Sequence, residues 1–211
     1  MARLPRGFFA RPSPEVAPEL LGSRLVRTLP SGIRLSGVIV EAEAYEPGDP
    51  ASHGFRGQTG RNETMFGPPG HLYVYFTYGN HWMANVVTRR RGEGSAVLIR
   101  SLRPLDGVDE MRVRRGREQL RDLCSGPGKL CQAFEIDRRL DAADLVGGRE
   151  VWLERGVPVE PDVITSGSRV GISVGLDRPW RFLIAGDPCL SRGRPGVPTR
   201  RGASAPSTPR S

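Results

Sequence analysis

The stretch "VIVEAEAY", residues 38–45, places two carboxylates and an aromatic ring on one side of what reads as a β-strand. With a side-chain period of two, Val38, Val40, Ala42 and Ala44 fall on one face, and Ile39, Glu41, Glu43 and Tyr45 on the other. The first face suits a core. The second has two readings: a half-solvated antiparallel strand whose glutamates meet water, or a row of acids kept there for chemistry.

Outward from this strand the pattern continues. "SRLVRT", "LPSG" and "IRLSGVIVEAEAY" read as a β-hairpin, and "HLYVYFTY", "GNH" and "WMANVVT" as a second. In the second hairpin Leu72, Val74 and Phe76 share one face, and Tyr73, Tyr75 and Thr77 the other. "SAVLIRSL" is a further strand, and "EVWLER", "SRVGISV" and "WRFLIAG" are shorter ones. "SPEVAPELLG" carries helix-start and helix-stop signals at Ser13 and Gly22, with Pro18 limiting its length. "LDGVDEMRVRRGREQLRDL" reads as one amphipathic helix opening at Asp106 or Asp109. "CSGPGKLCQAF" reads as another, with Ser125 as cap and Pro127 near its first turn. Between the hairpins, residues 46–70 hold six glycines and four prolines, too many turn formers for a regular element. Links of that length are functional or disordered.

A chain of 211 residues suits one domain with a substantial core, here residues 1–190. From Ser191 onward, large apolar residues almost vanish, so 191–211 reads as a disordered basic tail. The formal net charge of +8 points to an anionic partner, but five arginines of that tail supply much of it. Without them 26 basic residues face 23 acidic ones, or +3. Three cysteines without a CxxC pair argue against a disulfide framework and for a reducing compartment. His53, His71 and His81 form no close ligand pair, so no metal is expected. Neither a membrane-length apolar run nor a secretory leader is visible, which points to an intracellular protein with no membrane partner.

At "VIVEAEAY…H…RN…MF…PG…LYVYFTYG…N…VLIR…LCSGPGKLCQA" the chain resembles the alkyladenine (3-methyladenine) DNA glycosylase family, in order and spacing from about Leu20 to Phe182. The fold expected is a single α+β domain: a curved, mainly antiparallel, open-barrel-like sheet similar to the formyltransferase C-terminal domain, with flanking helices and a protruding hairpin. The partner implied is double-stranded DNA with damaged purines, bound by a monomer without a cofactor. Members of the family extrude a damaged purine nucleotide and hydrolyse its base–sugar bond. Extrusion costs a few kcal/mol, and stacking on aromatic rings offsets about 1–3 kcal/mol per base.

The resemblance implies roles for particular residues. Glu43 matches the general base that activates water, with Glu41 as a structural neighbour. Arg100 matches an arginine beside that water. Tyr45 would wall one side of the base and His53 and Tyr75 the other, and electron-rich rings attract cationic alkylated purines. Asn85 matches a residue at the purine edge that disfavours the 2-amino group of guanine. Tyr78, at the hairpin tip, would wedge into the minor groove, although Asn80 and His81 depart from the apolar pair of animal members. Ser125, Gly126 and Lys129 would hold the DNA backbone at a helix N-terminus. Lys129 is the sole lysine, and with it on the backbone track no side-chain amine remains for a Schiff base, so plain hydrolysis is expected.

Two other readings stay open: a non-enzymatic damaged-DNA binder using the same pocket, and a transferase suggested by fold analogy alone. Glu43 discriminates against the first, because a pure binder has no use for a carboxylate near a polyanion. Removal of residues 191–211 is expected to flatten the salt dependence of binding without ending excision.

Overall fold

Residues 34–45 form the longest strand, and the rest of the sheet is arranged around it. The computed structural model describes residues 1–77 and 79–193. In it β1 (Arg24–Thr28) and β2 (Arg34–Tyr45) make the first hairpin, with Arg24 opposite Val38 and Thr28 opposite Arg34. The second joins β3 (Leu72–Thr77) to β4 (His81–Thr88), with Leu72 opposite Val86 and Thr77 opposite His81. β5 (Ser95–Pro104) lies between β4 and β2, and β6 (Val151–Glu154) extends the sheet beyond β1, giving the order β3-β4-β5-β2-β1-β6. β7 (Ile164–Gly167) and β8 (Arg181–Ile184) form a small ribbon, and β8 pairs with the far half of β2 across Glu41–Glu43. The result is one curled antiparallel sheet in a single α+β domain.

The strict alternation read for β2 breaks at Ile39. Register shifts flank Glu41: Ile39 pairs with Leu102, Glu41 with Ser101, and Ala42 with Ile99. Ile39 therefore joins Leu35, Ala42 and Ala44 in the core, instead of sharing the glutamate face. β5 changes parity at the same place, since both Ile99 and Leu102 are core residues. Such irregularities bend a strand and re-aim its side chains, and they recur beside active sites. Here the bend lies under the two glutamates.

Short helices cover the core face: α1 (Arg6–Phe9), α2 (Ser13–Leu20), α3 (Val108–Arg115), α4 (Leu120–Leu123) and α5 (Pro127–Phe134). α2 contributes Val16, Ala17 and Leu20 to the core, and α5 contributes Leu130, Cys131 and Phe134. Burial of each large side chain stabilises the fold by about 1.5–3 kcal/mol. The single helix expected over 105–123 is two, because Gly116 adopts φ +57° and ends α3. A left-handed glycine at that position satisfies the last carbonyls and turns the chain away. "SRVGISV" is a loop and not a strand; the regular pairing falls just before it, in β7. Ser125 does not cap α5: Gly126 occupies the cap position, and no side chain bonds there. Among the described residues no helix is long and apolar enough to cross a membrane.

Candidate active site

The face of the sheet away from the helices carries a row of side chains in register across four strands. Tyr73 pairs with Asn85, Asn85 with Leu98, and Leu98 with Glu43. Strand spacing of about 4.8 Å puts β3 and β2 roughly 14 Å apart. Asn85 and Leu98 thus form a floor, with aromatic residues rising from the strands on either side. The cavity above has a volume of about 330 Å³, and Tyr45, His53, Tyr75, Asn85 and Arg100 all line it. A cavity of this size holds a small planar ligand.

Tyr45 stands on the β2 side. On the β3 side His53, from the glycine-rich link, meets the Tyr75 ring with centroids 4.4 Å apart, and its Nδ1 lies 3.1 Å from the Tyr73 hydroxyl. Asn62 holds the link in place by donating to the carbonyls of His53 (2.8 Å) and Gly57 (3.1 Å). The link is therefore ordered structure that presents His53. Burial, reinforced by Arg61, lowers the His53 pKa and favours the neutral imidazole. Asn85 donates its amide to the Tyr73 carbonyl at 3.1 Å, which fixes the orientation of its side chain over the floor.

Glu43 lies beneath this cavity and is 0% exposed. Its Oε1 accepts the Val170 backbone N–H at 2.7 Å, and its Oε2 accepts the Tyr45 hydroxyl at 3.0 Å and Arg100 Nη1 at 3.3 Å. Glu43 is not itself part of the cavity lining, but all three of its donors, Tyr45, Arg100 and Val170, are, so the carboxylate sits directly behind the wall. Burial first, and the negative charge of Glu43 next, push the Tyr45 phenol well above its ordinary range, and it remains a donor. The half-solvated reading of the strand is thereby excluded: neither glutamate meets bulk water.

Glu41 is tied by five donors. Its Oε1 accepts Arg100 Nε (2.9 Å), Arg181 Nε (2.8 Å) and Ser191 Oγ (2.8 Å), and its Oε2 accepts Ser101 Oγ (2.8 Å) and the Ser191 N–H (2.7 Å). Burial alone would raise its pKa; Arg100 and these other donors outweigh it and hold the carboxyl below its usual value. So saturated a carboxylate has no lone pair left for a ligand. Its effect is to aim Arg100, whose Nη2 also reaches Ser191 Oγ at 3.1 Å. Ser191 thus belongs to this buried network, contrary to its assignment to a disordered tail. Gly193 follows closely, since a Cβ there would lie 2.4 Å from a Val170 methyl and 3.3 Å from Arg100 Nη2. Residues 191–193 thus lie beside Arg100 and Val170, which line the cavity, and the rest of the expected tail, 194–211, lies outside the described residues.

At the rim, Pro127 lines the cavity, and Lys129 Nζ donates to Ser125 Oγ at 3.2 Å next to Gly126, so the three residues expected at the DNA backbone are together. His81 packs against this helix start: a methyl group on Gly128 would come within 2.8 Å of its ring. The hairpin is thereby braced against α5. Tyr78, the expected wedge, lies outside the described residues. Among the described residues no group of three or more His, Cys, Asp or Glu is placed to hold a metal ion. Cys124, Cys131 and Cys189 are free and buried; burial raises the pKa of each, and they have no thiolate chemistry here. Sequence reasoning missed Val170, Arg169 and Asp49. Val170 acts through its backbone N–H, and the other two become partners only by folding.

The site thus sets a buried carboxylate and an arginine behind an aromatic-walled cavity. The sequence model of the methylpurine-DNA glycosylase family matches residues 7–188, and the chain belongs to that family. As a member it is a DNA repair hydrolase acting on N-glycosyl bonds. It is 48% identical over 189 residues to a protein of Carboxydothermus hydrogenoformans, covering 90% of this chain and 98% of the other. With a protein of Agrobacterium fabrum the identity is 49% over 189 residues, covering 90% and 92%. A Streptomyces avermitilis protein is 47% identical over 204 residues, covering 94% and 95%. All three are provisionally named 3-methyladenine DNA glycosylases.

Proposed function

We propose that this protein is a monofunctional glycosylase that, as a monomer, extrudes alkylated or deaminated purines from duplex DNA and hydrolyses their N-glycosidic bond with an activated water. The substrates are 3-methyladenine, 7-methylguanine, hypoxanthine and ethenoadenine, and the product is an intact abasic site. The observation that carries this reading is the fully buried Glu43 carboxylate, held by three residues that line the cavity, Tyr45, Arg100 and Val170.

In this reading Glu43 takes a proton from a water that attacks the anomeric carbon as the sugar gains oxocarbenium character. Arg100, aimed by Glu41, orients that water and contacts the nucleotide's phosphate. The base lies between Tyr45 and the His53–Tyr75 pair, with Asn85 at its edge. Neutral His53 does not repel a cationic base. Cationic lesions leave readily without a second carboxyl; neutral hypoxanthine depends more on pH and fit. Tyr78 fills the vacated stack, while Ser125, Gly126 and Lys129 hold phosphates.

The test uses duplexes carrying one hypoxanthine or one alkylated adenine, incubated with the protein and then treated with alkali. Alkali-dependent breaks at the lesion are expected. Breaks without alkali, or a borohydride-trapped adduct, would show lyase chemistry and overturn the monofunctional reading. A simple binder would leave every strand intact.

A further inference from the structure

Behind the Tyr45 ring lies a charged cluster that hydrolysis does not require. Arg169 is 0% exposed, and its guanidinium carbon lies 4.7 Å from the Tyr45 ring centre. It forms no part of the cavity wall, so it occupies the ring face turned away from the cavity. Asp49, also 0% exposed, accepts both its Nη1 and its Nη2, the latter at 3.0 Å. The carbonyls of Ala44 (3.0 Å) and Gly175 (3.3 Å) accept from the same two nitrogens. Gly175 comes in close with φ +63°, and a Cβ there would lie 2.8 Å from Asp49 Oδ1.

The cluster continues outward. Arg169 also lies 5.5 Å from the Trp180 ring centre, and Arg178 lies 4.8 Å from that ring. Arg178 Nη1 is 3.7 Å from Asp49 Oδ1. Rings and guanidiniums alternate, with one carboxylate between two cations.

An aromatic ring attracts a cation because its faces carry negative quadrupolar charge. A cation on the rear face draws on that density and repels a second cation in front. A base stacked on the cavity face would lie about 8 Å from Arg169, and Coulomb's law at an effective dielectric near 20 gives a repulsion that bounds the effect at about 30-fold. Asp49 cancels most of it. We propose that the Asp49–Arg169 pair is a specificity-determining element that sets how strongly Tyr45 favours cationic over neutral lesions. This rests on Tyr45 stacking the extruded base. Neither residue touches substrate; both act through the ring.

The experiment compares single-turnover rates on duplexes carrying 7-methylguanine and hypoxanthine, and takes their ratio. Asp49→Asn leaves Arg169 uncompensated, and the ratio should fall at least about fivefold within the Coulombic bound. Arg169→Gln removes the rear cation and leaves Asp49 its Arg178 partner, and the ratio should rise. Opposite shifts support the proposal. A purely structural role would slow both substrates together and leave the ratio unmoved in both variants, which overturns it. Should Asp49→Asn fail to fold, the direction in Arg169→Gln decides: no rise refutes the proposal. If the unaltered protein releases neither base, the excision reading falls first, and the two failures are distinct.

Discussion

Replacing Glu43 by glutamine removes the proposed base while nearly preserving the shape of the side chain. The carboxylate has three donors, Val170 N–H at 2.7 Å, Tyr45 O–H at 3.0 Å and Arg100 Nη1 at 3.3 Å. A glutamine carbonyl can keep the shortest of these, and the Tyr45 hydroxyl can rotate to accept from the new amide. Arg100 cannot adapt in this way, but it retains Glu41 at 2.9 Å and Ser191 at 3.1 Å. The loss to the fold is therefore one charge-assisted hydrogen bond, about 1.5–3 kcal/mol. Against a typical total of about 5–15 kcal/mol the variant stays folded, with Tm lower by roughly 3–12 °C. General-base catalysis is worth about 10²–10⁴-fold, or roughly 2.7–5.5 kcal/mol of barrier. Single-turnover cleavage of a hypoxanthine duplex with enzyme in excess should slow by that factor. Binding to the same duplex at the same salt should change less than about threefold. A rate within tenfold of wild type, or a loss that binding alone accounts for, refutes the role given to Glu43.

Other perturbations test other parts of the site. Truncation after Gly193 should keep excision and flatten its salt dependence, because basic residues that could release counterions are gone. Truncation after Leu190 also removes both Ser191 bonds to Glu41 and its contact with Arg100, and should slow excision at least about tenfold; equal rates in the two forms would show that Ser191 positions nothing. Gly128→Ala forces the His81 ring away from α5, so lesion-duplex binding should weaken, and the double variant with His81→Ala should recover it. Unchanged binding in the single variant would mean that the brace does not matter. Glu41 has a folded pKa below its unfolded value of about 4.3, so its stabilisation is complete above that value and is lost as pH falls through the lower folded value. Denaturant midpoints should accordingly hold from pH 7 to about 5 and fall below, and Glu41→Gln should weaken the fold at pH 7 and shrink that acid limb. An identical limb in the variant would assign the acid sensitivity to other carboxylates.

The strand pattern was legible because a period of two, hairpin turns and a glycine-rich link act locally on the chain. The aromatic alternation of β3 holds through Tyr73 and Tyr75, and it is what puts both rings over one floor. The failure at Ile39 has a different origin. A bulge is decided jointly by two strands: β2 and β5 shift together around Glu41 and Ser101, where a hydroxyl opposes a carboxylate. Nothing within residues 38–45 states which residue will lie opposite. The same limit hid the partners of the site. Asp49 sits in a turn-rich link, and Arg169 in a loop whose spacing mimics a strand; only closure of β8 onto β2 brings that loop under Tyr45. Ser191 sits where composition turns toward disorder, but one serine whose N–H and Oγ both meet a buried carboxylate needs no apolar neighbours to be held. Local chemistry therefore marked the two glutamates and the aromatic and polar side chains that line the cavity, and long-range pairing specified Val170 at its wall and the partners Arg169, Asp49 and Ser191. If, as proposed, Tyr45 and Arg100 act on a ligand and Arg169, Asp49, Glu41 and Ser191 fix how they act, variation between relatives in lesion preference should track the second group while the first stays the same.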